Sequence, residues 1–185
     1  MSTRPVIDGT RLETRRSEVE IGLRSGAAWD REGLRALTAG LQVAWFPPPL
    51  SGYVGIALDG SGLAVRETER VPISGRNIEV SAVARVFPIQ GVALLRLPLL
   101  GGSLVAGAGG GSAYGVVRTA ARTQPTAEVS GWATSLTALL GYGHRAGGGS
   151  LFAEVRGQQV ETIAEQRVPG ALELVSVSLG YRFEL

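Results

Sequence analysis

Alternation between large apolar and small or polar side chains runs along most of the chain and constrains its fold more than any other feature. The closing stretch LVSVSLGYRFEL, residues 174–185, places large apolar residues at every second position, separated by Ser, Gly, Arg and Glu. Successive side chains of a strand point to opposite faces of a sheet, so this spacing predicts strands with one apolar face. Helical periodicity is weak throughout, and the sequence therefore predicts an all-β fold.

The same spacing predicts about eight strands joined by Gly- and Pro-rich turns. The alternating segments are 17–29, 37–46, 77–87, 132–142, 150–158 and the closing strand. Segment 103–118 is rich in Gly and Ala, and such Gly content weakens a strand but permits strong coiling. The DGSG at 59–62 predicts a hairpin turn or a bulge, and 90–100 is predicted to continue the fourth strand past a kink at Pro88.

The polar faces of these strands are unusual for a sheet that meets water. They consist of Gly, Ser, Thr, Ala and Gln with single Glu and Arg residues, whereas the apolar faces are broad and carry aromatic residues near their ends. In segment 77–87 this rule puts Ile78, Val80, Ala82, Ala84 and Val86 on the apolar face. A transmembrane barrel has this pattern, with its apolar face in lipid between two aromatic girdles and its small and polar face in the lumen.

Hydrocarbon also explains why such a sheet must close, because each unpaired backbone amide there costs several kcal/mol. We therefore predict a closed antiparallel up-and-down transmembrane β-barrel over residues 17–185, with residues 1–16 as an N-terminal lead-in. The predicted girdle aromatics are Trp29, Trp45, Tyr53, Trp132, Tyr142 and Tyr181. All predicted loops are short, which argues against an adhesin or a receptor built on loops.

Composition excludes several other classes. The net charge is only +2 and the Arg residues are scattered, so no basic stripe predicts nucleic-acid binding. The absence of Cys excludes disulfides and thiolate metal sites. No apolar run is long enough for a transmembrane helix, and the first residues do not form a signal peptide. Either an export signal was removed, as we expect, or the protein is not exported.

The closing residues resemble the C-terminal signal strand of bacterial outer-membrane β-barrels. Ser178, Gly180, Tyr181, Phe183 and Leu185 occupy the pattern, although Phe is commoner than Leu as the final residue. Segments 101–115 and 145–157 are also similar to parts of the small eight-stranded outer-membrane barrels. The resemblance spans roughly residues 17–185. It implies an outer-membrane location among lipid, termini on the periplasmic side, so that 1–16 is a periplasmic lead-in, and recognition of the last strand by the barrel-insertion machinery.

Charged residues on the predicted lumen face are the main candidates for function. They are Glu18, Glu20, Arg24, Glu79, Arg85, Glu154, Arg156, Arg182 and Glu184. An eight-stranded barrel is just wide enough for side chains to fill, and unpaired charges there would be costly, so we expect ion-pair networks. Such networks suit either a plug that holds the barrel together or a narrow polar conduit with a gate.

Enzymatic chemistry has one candidate group. His144 is the only histidine, and Ser150 and Glu154 are close to it in sequence, as a Ser–His pair with an orienting acid requires. The expected topology puts His144 at the periplasmic end, so we interpret it as a turn residue. The Gly runs do not match a phosphate loop, no carboxylate cluster has metal-ligand spacing, and no cofactor is predicted.

These observations predict a non-enzymatic outer-membrane barrel that acts as a scaffold or anchor, or as a narrow small-solute channel. The first alternative is a lipid-modifying enzyme of the lipid A deacylase or acyltransferase type. The second is a self-assembling barrel whose apolar face is buried by protein neighbours, and a homo-oligomer remains compatible with all three hypotheses.

Overall fold

The computed structural model describes most of the chain from Glu18 onward as β-structure. The described residues are 18–30, 33, 35–48, 52–73, 76–121, 124–161 and 172–185. The predicted lead-in, 1–16, lies outside them. The eight strands are β1 (Glu18–Trp29), β2 (Arg35–Phe46), β3 (Val54–Ile73), β4 (Arg76–Leu99), β5 (Gly102–Ala121), β6 (Gln124–Ala146), β7 (Gly149–Val160) and β8 (Leu172–Glu184). No helix within these ranges is long and apolar enough to cross a membrane.

The strands form a closed antiparallel barrel, as predicted. Each strand pairs with the next, and β8 pairs with β1 to close the sheet. A path perpendicular to the strands leaves β1 at Val19 and returns to it at Trp29, ten residues further along. With about 3.3 Å per residue and about 4.8 Å between strands, this stagger tilts the strands by roughly 40°.

The two ends of the barrel differ. Glu18 and Leu185 lie together at one end, the terminal end, where the Leu185 amide donates a 2.9 Å hydrogen bond to the Val19 carbonyl. At the other end β2 last pairs with β3 at Val65, but β3 to β6 continue as a projecting sheet. We call this the projecting end. The sequence analysis did not predict this extension of the strands, and the short loops stay a prediction because most of their residues at this end lie outside the described ranges.

The DGSG prediction was wrong. Residues 59–62 lie inside β3, and the register with β4 is the same on both sides of them. The strand therefore contains neither a hairpin turn nor a bulge at this point. β4 continues through Pro88 to Leu99, as predicted.

The apolar faces of the barrel wall point outward. Leu41, Leu136 and Leu179 are 47%, 53% and 67% exposed, whereas Glu20 and Arg156 are 4% and 3% exposed. The predicted inside-out arrangement is confirmed along β1, β2, β6, β7 and β8.

Aromatic residues border this outward apolar band at two levels. Trp132 and Tyr142 both point outward from β6 and are ten residues apart, which corresponds to about 25 Å along the barrel axis. The Tyr142 hydroxyl donates to the carbonyls of Leu99 and Leu100 at the terminal end. The strand positions place Trp29 and Trp132 at the projecting level, and Trp45, Tyr53, Tyr142 and Tyr181 at the terminal level.

The predicted faces of segment 77–87 were wrong in the part of it that the structure describes. Val86 is 1% exposed inside the barrel and Ala84 packs beside it, whereas Arg85 is exposed on the outer face. The side chains of residues 78–80 lie outside the described part of the structure. This segment lies beyond the aromatic level at Phe87, where the outer face no longer needs to be apolar.

Candidate functional site: the barrel lumen

A layer of charged side chains crosses the middle of the lumen. Arg24 places both terminal nitrogens on the Asp59 carboxylate at 2.7 Å, and Arg156 binds the same two oxygens at 2.8 and 2.9 Å. Arg156 also donates to Glu154 at 2.9 Å through Nε, and the Gln42 amide donates to Asp59 at 3.2 Å. We call these five residues the charged layer.

The charged layer is neutral overall and well paired. Two arginines face two carboxylates, and each of the four is at most 8% exposed. Paired forks of this kind offset the cost of moving charges out of water, which isolated ions in the lumen could not do. Gly40 makes room for the layer, because a Cβ there would lie 2.7 Å from a terminal nitrogen of Arg24.

An open cavity, the vestibule, lies between the charged layer and the terminal end. Its volume is about 410 Å³, and Glu18, Glu20, Arg96, Arg182 and Glu184 contribute to its lining. Arg96 lies 2.5 Å from Glu20 and 3.1 Å from Glu18, and Arg182 lies 3.7 Å from Glu20. The Arg96 and Arg182 guanidinium groups also stack on Phe46 and Phe152, with centroid distances of 3.7 and 4.5 Å.

A layer of apolar side chains closes the lumen near the projecting end. It consists of Ala28, Ala36, Leu63, Val65, Val86, Ala113, Val160 and Leu174, with Ala84, Ala133 and Leu172 packed against them. Every one of the eight strands contributes to this apolar layer. Gln90, Ser135 and Gln158 lie between the two layers, and both amides donate to the Ser135 hydroxyl, at 2.7 and 3.3 Å.

The structure brings most of the predicted lumen charges together, but not all. Glu20, Arg24, Glu154, Arg156 and Arg182 are buried inside the barrel. Glu18 and Glu184 lie at the terminal rim with side chains 51% and 43% exposed. The prediction for Arg85 was wrong, because its side chain points outward. The Glu79 side chain lies outside the described residues.

Two central residues were missed by the sequence analysis. Asp59 was hidden because DGSG was interpreted as a turn, and Arg96 because it interrupts a long apolar run. Alternation along one continuous strand would have placed both side chains in the lumen, because Asp59 shares a face with the buried Leu63, and Arg96 shares a face with the buried Gln90.

His144 does not join Ser150 and Glu154. His144 pairs with Leu151 and points outward, whereas Ser150 lines the vestibule and Glu154 lies in the lumen. The sheet wall separates the imidazole from both groups, so these three residues form no catalytic triad. Within the described ranges, no group of three or more His, Asp or Glu residues could hold a metal ion.

The C-terminal pattern residues occupy both faces of β8. Ser178 is buried in the lumen, whereas Phe183 points outward and is 46% exposed. Gly180 faces the Phe152 ring, and a Cβ at this position would lie 2.6 Å from the ring. Packing therefore explains this glycine, and recognition by the insertion machinery stays a prediction.

Known structures share this barrel. A major outer-membrane protein of Thermus thermophilus matches with a TM-score of 0.61 and 9% identity over 92% of this chain and 100% of that one. Neisserial surface protein A matches at 0.53 and 12%, covering 91% and 97%. This chain has the fold of the small eight-stranded outer-membrane β-barrels.

The attachment invasion locus protein Ail of Yersinia pestis has the same outer-membrane barrel fold. Its structure with the heparin analogue sucrose octasulfate gives a TM-score of 0.51 and 12% identity, covering 90% of this chain and 97% of that one. No protein-family model matches the chain, and no curated protein matches it. The likeness therefore concerns the fold.

Proposed function

We propose that this chain is a non-enzymatic scaffold of the bacterial outer membrane with a sealed lumen. The outward apolar band supports a place in lipid, because it is about 25 Å tall between its aromatic levels, as in outer-membrane barrels. An exposed apolar surface of this size has to be covered, and lipid covers all sides of a barrel equally.

The apolar layer is the observation that favours a scaffold over a channel. Its central members Ala28, Ala113 and Val160 are 0% exposed. A solute would have to cross this layer and then separate the doubly paired Asp59 carboxylate from its two arginines. The first step would expose packed apolar side chains to water, and the second would replace charge-assisted hydrogen bonds with bonds to water. The resting lumen therefore offers no conduit.

The position of His144 supports a non-enzymatic role. Ser150 and Glu154, the serine and carboxylate nearest to it in sequence, lie on the lumen side of the sheet, whereas His144 points outward. Lipid-modifying activity is tested directly with lipid A as substrate: the wild type should release no fatty acid.

Heat-modifiable gel mobility tests the membrane proposal. The chain should stay in solution only with detergent or lipid, and its unheated form should migrate as a compact band that shifts on boiling. A folded chain that remains monomeric and soluble without either would contradict a place in lipid. Soluble, detergent-free assemblies would instead support the alternative in which neighbouring subunits cover the apolar band.

Planar-bilayer recording tests the seal. Wild-type barrels inserted at a density confirmed by vesicle flotation should give no discrete conductance steps in 1 M KCl. Frequent steps of uniform size from the unaltered protein would identify a channel and refute the sealed scaffold.

A further inference from the structure

The outer face of the projecting sheet carries two arginines just beyond the aromatic level. Phe87, Tyr114 and Trp132 are register partners on β4, β5 and β6, and the Tyr114 and Trp132 ring centroids lie 5.2 Å apart. Arg85 lies two residues past Phe87, and Arg118 four residues past Tyr114. Along the barrel axis these steps are about 5 and 10 Å.

The two arginines are neighbours across one strand pair. Arg85 pairs in register with Val116, and Arg118 with Val83, so the two side chains stand diagonally on one face. They line a groove of about 290 Å³ together with Val83, Phe87, Val116 and Glu128. The groove therefore has a valine beside each arginine and an aromatic lower edge at Phe87.

Glu128 neutralises only one of these guanidinium groups. The Arg118 Nε donates to the Glu128 carboxylate at 2.6 Å, and both side chains remain about half exposed, at 57% and 49%. Across the three described charges of the groove the net charge is +1. The other groove residues are apolar: Val116 and Val83 lie beside Arg85 and Arg118, and Phe87 lies below them. The groove therefore fits an anionic ligand with an apolar part that extends past Phe87 to the apolar band.

We propose that this groove binds the phosphorylated headgroup of an outer-leaflet lipid, with Arg85 and Arg118 on the phosphate and the acyl chains against the apolar band. This inference rests on the proposed place in the outer membrane. Arginine is suited to phosphate because its planar fork donates two hydrogen bonds to one group. The aromatic row marks the level at which acyl chains end and headgroups begin.

Diphosphoryl lipid A is the probe. The wild-type barrel, folded in zwitterionic detergent, is titrated with it, and bound lipid is counted by native mass spectrometry. One lipid should be retained, and Arg85→Ala with Arg118→Ala should weaken its binding by about ten-fold per arginine. Glu128→Gln should strengthen binding several-fold, because it releases Arg118 from its ion pair.

Arg145→Ala is the matched control. Arg145 is an 83% exposed arginine at the terminal end, outside the groove, where it lies 3.8 Å from Glu184. Its removal should leave lipid A binding unchanged. An equal loss in Arg145→Ala and in the double variant would reduce the effect to general attraction between charges and would overturn the proposal.

Two further arms separate the sources of the anion. Lipid A without its phosphates should bind as weakly to the wild type as diphosphoryl lipid A binds to the double variant. Inorganic phosphate at 10 mM should not displace the lipid. Displacement by phosphate, or tight binding of sucrose octasulfate with none of lipid A, would assign the groove to soluble anions and refute the lipid proposal.

Folding is checked separately by heat-modifiable mobility of each variant. Loss of the compact form in the wild type would contradict the proposed function itself. A compact wild type whose lipid A affinity equals that of the compact double variant would overturn the groove assignment alone.

Discussion

The two halves of the lumen are closed by opposite kinds of chemistry. Near the middle, Asp59 binds two arginine forks, and the barrel is filled by charge-assisted hydrogen bonds. Near the projecting end, small and branched apolar residues from all eight strands meet in a buried layer. Both layers fill the lumen, but removal of one side chain should lower the free energy of unfolding by a different amount in each layer.

The difference follows from the place of each layer along the strands. Where the outer face meets lipid it must be apolar, and the alternation of a strand leaves polar groups for the lumen. In the proposed outer-membrane location, the outer face beyond the aromatic level meets water and can hold Arg85, so the inner face of the same strand is free to hold Val86. Polarity therefore inverts along β4.

Removal of the shared carboxylate should have the largest effect. Asp59→Ala leaves Arg24 and Arg156 buried without their common partner, and we expect the free energy of unfolding to fall by about 3–5 kcal/mol. Urea titration of the barrel in lipid vesicles, followed by tryptophan fluorescence, measures this loss.

A paired replacement is the control for Asp59. Asp59→Leu combined with Arg24→Met removes opposite charges together and leaves Arg156 with Glu154 at 2.9 Å, so most of the stability should return. A single Asp59→Ala variant within about 1 kcal/mol of wild type would mean that water already occupies the charged layer.

Truncation in the apolar layer should have an intermediate effect. Leu63 is 4% exposed, and Leu63→Ala removes packing without stranding a charge, so we expect a loss of about 2–3 kcal/mol in the same titration. Leu58→Ala is the matched control on β3. Leu58 is 62% exposed on the outer face, where lipid refills the space, and its truncation should cost under about 1 kcal/mol. Equal losses at the two leucines would contradict a dry apolar layer.

The sequence predicted the barrel because one rule, the alternation that lipid would impose, holds for the strands inside the band. Leu41, Leu136 and Leu179 follow that rule, as do Glu20 and Arg156 on the opposite face. The error in segment 77–87 lies where the rule stops applying. Arg85 lies past the aromatic level, where alternation continues but the outside is no longer apolar.

The pairings within the site could not be predicted from spacing. Asp59 and Arg156 are 97 residues apart in the chain and meet only because the barrel closes around them. The alternation along a strand gives the face on which a side chain lies. The stagger of the whole sheet decides which side chains meet at one height in the lumen. Local turn chemistry also misled at DGSG, since Gly60 and Gly62 continue β3 with no change of register.

Gln90→Leu should have the smallest effect and would locate the boundary between the two layers. Gln90 is 1% exposed, and its amide nitrogen donates to Ser135 at 2.7 Å, while its Oε1 has no hydrogen-bond partner among the described residues. Leucine loses one neutral hydrogen bond but removes that buried oxygen, so stability should change by less than about 1 kcal/mol in either direction. Gln42→Leu is the comparison, because the Gln42 amide donates to the Asp59 carboxylate, and a hydrogen bond to a charged group contributes about 1.5–3 kcal/mol. Equal losses of stability in the two variants would mean that the charged layer extends as far as Gln90 and that the apolar layer begins only beyond Ser135.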